Sequence, residues 1–119
     1  MCLGGAVGTG ARYALGGWVQ RLAGAAFPAG TLVVNVLGSL LITVIMTLGA
    51  ERGLIPAQTR IVLTTGVMGG FTTFSTFSYE TLRLLQDGAL LRAALNALAT
   101  VLACLGAAAL GVVMARELG

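Results

Sequence analysis

The stretch 66–78 (Gly-Val-Met-Gly-Gly-Phe-Thr-Thr-Phe-Ser-Thr-Phe-Ser) concentrates polar groups inside an otherwise apolar segment. A helix that only spans lipid would carry Leu, Ile, Val and Ala at these positions. The pair Gly69-Gly70 favours either a helix break or a close backbone approach. A break within a bilayer frees backbone carbonyl and N–H groups, which protein, ion or water must satisfy. Because transport proteins bind ions at broken helices, the stretch predicts a lined ion path; the alternative is a packing face of small residues.

Two further sets of polar side chains repeat every four residues, which places each set on one face of a helix. The sets are Asn35, Ser39 and Thr43, and then Asn96, Thr100 and Cys104. An asparagine amide is costly to leave facing lipid, so it either joins two helices or donates to an anion. Two such stripes on two helices favour a polar track through the protein.

Phe74 and Phe77 are three residues apart and would share a helix face. Phenylalanine in such a position usually packs against other apolar groups. Its ring edge, however, carries the positive part of the ring quadrupole. Ring edges could therefore face a small anion, and this argument holds for any halide.

The charged residues within the apolar segments favour an anion over a cation. Arg12 lies in the middle of the first segment, where a guanidinium costs on the order of 3 kcal/mol or more. It either snorkels to the headgroups or forms a positive vestibule that gathers anions. Glu80 falls late in the third segment, and no carboxylate lies mid-span in the other three. A proton-coupled cation exporter would need such an acid to bind its substrate and its proton.

Composition places the chain among membrane proteins, since its 119 residues are 57% hydrophobic and 9% charged, with mean hydropathy +0.96. A span needs roughly 20 mostly apolar residues. The segments that qualify are 1–20, 28–49, 60–85 and 89–115. The sequence therefore predicts an all-α membrane protein, with residues 1–119 forming a single transmembrane domain of four helices.

The arginines predict how the chain inserts. All basic residues are arginine and they are scattered, which argues against nucleic-acid binding. Apart from Arg12, they divide equally between the two sides of the predicted bundle, so the positive-inside rule selects neither orientation. Insertion in both orientations would allow an antiparallel two-fold homodimer. The motifs Gly4-x-x-x-Gly8 and Gly66-x-x-x-Gly70 offer close-approach faces that would support such a dimer.

No residue pattern in the sequence predicts catalysis. Cys2 and Cys104 lie in apolar surroundings without metal-ligand spacing and are interpreted as packing residues. There is neither a phosphate-binding loop nor a nucleophile–base pair. We therefore expect neither an enzyme nor an ATP-driven pump.

Three motifs in order along the chain resemble the small bacterial fluoride channels, the Fluc or CrcB family. They are Gly8-Thr9-Gly10-Ala11-Arg12-Tyr13, the run 28–39 (Pro-Ala-Gly-Thr-Leu-Val-Val-Asn-Val-Leu-Gly-Ser) and the run 69–80 (Gly-Gly-Phe-Thr-Thr-Phe-Ser-Thr-Phe-Ser-Tyr-Glu). The resemblance covers essentially the whole chain. It implies a passive fluoride-selective channel in the cell (inner) membrane, multi-pass, with a break in the third helix and two pores per antiparallel dual-topology homodimer.

The resemblance also implies roles for individual residues. The fluoride pore would contain Asn35, Phe74, Phe77, Ser75, Thr76, Asn96, Thr100 and Cys104. Arg12 and Glu80 would lie at the vestibule. A structural sodium ion at the dimer centre would be bound by the backbone carbonyls of Gly69 and Thr72. Asn96 and Cys104 depart from the hydroxyl residues that the family often has on its fourth helix.

Two other functions remain open at this point. A coupled transporter of the small multidrug type would depend on Glu80 and little on Asn35, whereas a channel reverses that emphasis. A structural or assembly subunit would transport nothing. The partners expected for the channel are a second copy of the chain, the lipid bilayer and fluoride.

Overall fold

The computed structural model describes residues 1–118, and every regular element in that range is helical. The elements are α1 (Cys2–Ala23), α2 (Ala29–Met46) with a π-helical continuation (Thr47–Glu51), α3 (Ala57–Ile61), a π-helical run (Val62–Met68), α4 (Gly69–Phe71), α5 (Phe74–Gln86) and α6 (Leu90–Leu118).

Two helices are long and apolar enough to cross a membrane, namely Ala29–Glu51 and Leu90–Leu118. They correspond to the second and fourth predicted spans. The third predicted span is divided, because its helix stops after α4 and restarts as α5. The described fold is thus all-helical and consistent with a membrane protein, and the count of four spans stays a prediction.

The break in the third segment lies at Thr72 and Thr73, which are extended with φ/ψ of −86°/156° and −151°/116°. The prediction of a break at Gly69-Gly70 is therefore displaced, since both glycines belong to α4. Gly70 instead lets α1 approach closely: a Cβ there would lie 2.5 Å from the carbonyl oxygen of Gly5. The glycine pair supplies close approach, and the threonines after it supply the break.

The glycine motifs pack against each other within one chain. Gly8 faces the Val67 carbonyl and the Phe71 amide, and Gly66 faces Met1 and Gly4. The prediction that these motifs support a dimer is therefore wrong, because they are already buried in the contact between α1 and the third segment of one chain. Small residues here let two helices of one protomer approach to backbone contact.

The apolar core lies where α1, α2 and α4 meet. Val34, Met68 and Phe71 are its buried members. On the other side of α2, Gly111 of α6 packs against Thr43. Many large apolar side chains elsewhere remain exposed, as expected for a surface that meets lipid or another apolar partner.

Two glycines of α1 provide a matched test of this packing. A Cβ at Gly8 would meet the backbone of the third segment, whereas a Cβ at Gly10 meets nothing within 4 Å. We expect Gly8→Ala to destabilise the protein by about 1–3 kcal/mol through overpacking. Gly10→Ala should be neutral or stabilising by up to about 1 kcal/mol, since alanine favours the helix. Thermal unfolding in detergent measures both, and equal melting temperatures for the two variants would contradict the packing.

Candidate functional site

The break is held by one amide side chain on α2. Asn35 Nδ2 donates to the Thr73 carbonyl at 2.9 Å, and the Thr73 N–H donates to Asn35 Oδ1 at 2.8 Å. The backbone N–H and carbonyl of the extended residue Thr73 are thereby both hydrogen-bonded, as the apolar surroundings require. This pair of hydrogen bonds joins α2 to the break, and it is buried, since Asn35 is only 9% exposed.

Thr73 in turn begins the next helix. Its Oγ1 accepts from the Thr76 N–H at 3.2 Å and donates to Thr76 Oγ1 at 3.0 Å. Threonine is a favoured N-cap residue because its hydroxyl satisfies an N–H of the first turn that lacks a helical partner. Asn35 therefore orients Thr73, and Thr73 orients the start of α5.

Arg12 reaches the same region from α1. Its Nε donates to the Gly70 carbonyl at 3.1 Å. The guanidinium thus contacts the backbone of the third segment beside the break. It satisfies a carbonyl whose helical donor, the N–H of Phe74, lies beyond the break.

The carbonyls of Gly69 and Thr72 also lose their helical donors, but no side chain among residues 1–118 replaces those donors in the way that Arg12 does at Gly70. In an unbroken helix they would accept from the N–H groups of Thr73 and Thr76, four residues on. Those two N–H groups donate instead to Asn35 Oδ1 and to Thr73 Oγ1. Both carbonyls therefore keep acceptor capacity that the helix would otherwise use, and Gly69 is exposed.

A cavity of about 370 Å³ lies beside the break, between α2, α5 and α6. Its lining combines donors with apolar side chains: Asn35, Ser39, Thr72, Thr73, Phe74, Phe77, Thr100, Val101, Cys104 and Leu105. Five residues predicted for the pore are brought together here, namely Asn35, Phe74, Phe77, Thr100 and Cys104. Within residues 1–118 this lining contains no carboxylate.

Two hydrogen-bond donors at this cavity are not used by the protein. Asn35 has two N–H groups and spends one of them on Thr73. Thr100 Oγ1 is buried and has no partner, although the residue is only 8% exposed. A buried hydroxyl without a partner is costly, so a ligand or water in the cavity would relieve it.

The phenylalanines form one wall of the cavity. The ring centroids of Phe74 and Phe77 are 5.5 Å apart, with an angle of 52° between their planes. Phe77 is buried, whereas Phe74 is 77% exposed. A tilted pair of this kind turns its ring edges in different directions.

A second cavity, of about 520 Å³, contains the two residues predicted for the vestibule. Arg12 and Glu80 both line it, together with Thr76. Glu80 Oε1 is buried and has no hydrogen-bond partner. Thr73 lines both cavities, so the break separates them by a single residue.

Two residues predicted for the pore lie outside both cavities. Ser75 is exposed, and its Oγ lies 3.3 Å from Thr73 Oγ1. Asn96 is 2% exposed and donates to Thr81 Oγ1 at 2.8 Å, joining α6 to α5. Asn96 thus holds the helix that carries Phe77. Its role in a pore stays a prediction.

Ser39 and Thr73 lie in the predicted polar stripe and the predicted ion path, but no individual role was predicted for them. Ser39 lies one turn after Asn35 on the same predicted stripe, which was the available signal. Thr73 could have been found as an N-cap residue, since a threonine directly precedes a helical run. Its bonding to Asn35 had no signal in the sequence, because the two residues are 38 positions apart.

Comparisons with known proteins agree over nearly the whole chain. The family model described as "CrcB-like protein, Camphor Resistance (CrcB)" matches residues 1–112. A protein of Geobacter metallireducens named "Fluoride-specific ion channel FluC" is 54% identical over 118 residues, which cover 99% of this chain and 95% of the relative. Proteins of the same name from Pelobacter propionicus and Anaeromyxobacter dehalogenans are 55% and 51% identical, covering 98% and 99% of this chain and 88% and 94% of the relatives.

Proposed function

The chain belongs to the CrcB-like family, and we propose that it is a fluoride-selective channel that lets fluoride leave the cytoplasm passively. The observation that carries this function is the name shared by relatives that are 51–55% identical over nearly the full chain. The family resemblance predicted from the three motifs is confirmed. As an ion channel the protein is not an enzyme, and the coupled transporter is not favoured.

The cavity chemistry supports an anion as the conducted species. An anion that leaves water needs donors to replace its hydration shell. The second N–H of Asn35 and the hydroxyl of Thr100 are side-chain donors at the cavity that the protein does not use. Ring edges of Phe74 and Phe77 would supplement them. A carboxylate in this wall would repel the ion, and the described lining has none.

Arg12 would attract the ion at the mouth of the pathway. It lines the 520 Å³ cavity, which reaches the break at Thr73. A positive group in a low-dielectric cleft raises the local concentration of anions. Arg21 and Glu80 line the same cavity, so its lining holds two basic side chains and one acidic side chain.

Export would need no coupled energy source. A negative membrane potential moves an anion outward with roughly 2.3 kcal/mol per charge per 100 mV. The proposed location is the cell (inner) membrane, where a multi-pass channel would limit fluoride toxicity in the cytoplasm.

An antiparallel dual-topology homodimer is the proposed assembly. Phe74 is 77% exposed although it lines the cavity, so one wall of the pathway is open in a single protomer. Leu105 of α6 lines the same cavity and is also exposed. A second copy would cover this face, and the equal distribution of arginines would let the copies insert in opposite orientations.

A sodium ion at the dimer centre is the proposed structural cofactor. The carbonyls of Gly69 and Thr72 suit a hard cation, because their helical donors are diverted to Asn35 and Thr73. Oxygen ligands from two copies would add to a full site. When bound, the ion would supply positive charge at the break.

The hydroxyl of Thr100 gives a sharp test of the channel. In liposomes, Thr100→Val should lower fluoride efflux roughly tenfold or more, since a hydrogen bond to a charged group contributes about 1.5–3 kcal/mol. The fold should persist, because the lost hydroxyl has no protein partner. An ion-selective electrode measures fluoride, and chloride efflux, run alongside, should stay low.

The matched control is Thr43→Val. The Thr43 hydroxyl donates within α2, to the carbonyls of Ser39 and Leu40, and the residue lies outside the cavity. Its efflux should equal that of the unchanged protein. Equal efflux from the Thr100 variant would remove that residue from the pathway, and a folded protein without any fluoride efflux would refute the channel.

Dual topology can be measured at Cys2, which is exposed at the start of α1. In a Cys104→Ser background, a membrane-impermeant maleimide added to spheroplasts should label about half of the chains, because neither orientation is favoured. Permeabilisation should expose the other half. Complete labelling, or none, before permeabilisation would mean a single orientation.

Sodium should stabilise the folded protein. A ligand present at 100 times its dissociation constant contributes about 2.7 kcal/mol. Replacing sodium by choline at equal ionic strength should therefore lower the melting temperature in detergent. Identical melting temperatures in the two salts would argue against the ion.

A further inference from the structure

Cys104 carries the one thiol on the wall of the 370 Å³ cavity. It is partly exposed, and the cavity opens beside Phe74. A thiol is only a weak hydrogen-bond donor, so the conduction chemistry described above makes little use of it. What distinguishes a thiol from the neighbouring hydroxyls is its reactivity towards soft metal electrophiles.

A second observation shows that this wall faces open space rather than packed protein. Thr100 lies one helical turn before Cys104 and lines the same cavity. Its Oγ1 has no hydrogen-bond partner, and only 8% of the residue is exposed to solvent. The surface shared by Thr100 and Cys104 is therefore a place from which protein groups are missing and where a small molecule can sit.

We propose that Cys104 is a modification site for monofunctional organomercurials, and that the adduct closes the cavity to fluoride. The blocking role rests on the proposed function, whereas the modification itself does not. Methylmercury chloride represents the class, since it is small and its neutral form crosses lipid.

The reaction exchanges a proton for the metal and involves no change of oxidation state. The sulfur–mercury bond forms as the mercury–chlorine bond breaks, and the thiol proton leaves with the chloride. The thiolate is the reactive form. The methylmercury group then occupies the space between α6 and the phenylalanine wall, where Phe74 and Phe77 lie.

Cys2 provides an internal comparison. It is exposed at the start of α1 and lines none of the cavities described above. Modification of Cys2 should therefore leave conduction unchanged. The two cysteines of the chain thus separate reaction with any thiol from reaction within the cavity.

The experiment compares the unchanged protein, Cys2→Ser and Cys104→Ser in fluoride-loaded liposomes. Each protein is compared with its own efflux before methylmercury chloride is added. We expect the unchanged protein and Cys2→Ser to lose most of their efflux, and dithiothreitol to restore it. Cys104→Ser should keep its own rate. Intact-mass spectrometry counts the mercury atoms bound, with one expected on Cys2→Ser.

Several results would overturn the proposal. Equal inhibition of Cys104→Ser would place the block elsewhere, and full efflux from a Cys2→Ser protein that carries one mercury would show that the adduct does not close the cavity. Absence of mercury from Cys2→Ser would refute the site itself. If no protein shows fluoride efflux before the reagent, the proposed function fails together with the blocking role, while the mass measurement still decides the modification.

Discussion

The structure depends on how the backbone is satisfied at Thr72 and Thr73. Extended residues inside an apolar segment expose N–H and carbonyl groups that lipid cannot satisfy. Asn35 meets this requirement with two hydrogen bonds to Thr73, and Arg12 adds one to Gly70. The two Asn35 bonds join the break to α2 and the Arg12 bond joins it to α1, so both helices must lie close to it. The glycines at those contacts follow from this constraint, because side chains there would hold the helices apart.

The same bonds determine what is left for an ion. Asn35 uses one N–H for the break and keeps the other, so a single amide fixes the backbone and presents a donor to the cavity. Diverting the N–H groups of Thr73 and Thr76 leaves the carbonyls of Gly69 and Thr72 with unused acceptor capacity. Donors therefore face the cavity, while acceptor capacity remains at the two residues whose helical donors are diverted. One break thus provides the donors that the proposed anion would need and the acceptors that the proposed sodium ion would need.

Helical spacing predicted much of this site, and its limits have physical reasons. The pairs Asn35 with Ser39 and Thr100 with Cys104 do line one cavity, since a step of four residues keeps a side chain on its face. Asn96 belongs to the same stripe as Thr100 but meets Thr81, because α5 packs against α6 at that turn. Which residue a stripe contacts depends on how the helices pack together, and spacing along the sequence does not give that packing. The glycines were ambiguous for a related reason, as a glycine permits both a break and a close approach.

A single protomer offers few groups that could replace the hydration shell of an anion. Two unused donors and one exposed phenylalanine are a small set, because transferring a charge out of water costs several kcal/mol even after relaxation. Phe74 lies on the open side of the cavity, where a further wall would both exclude lipid and add contacts. The incompleteness of the cavity is thus a physical reason for a second copy, independent of the arginine balance. The carbonyls of Gly69 and Thr72, whose helical donors are diverted, give a separate reason, because a second copy would add oxygen ligands to theirs around the proposed sodium ion.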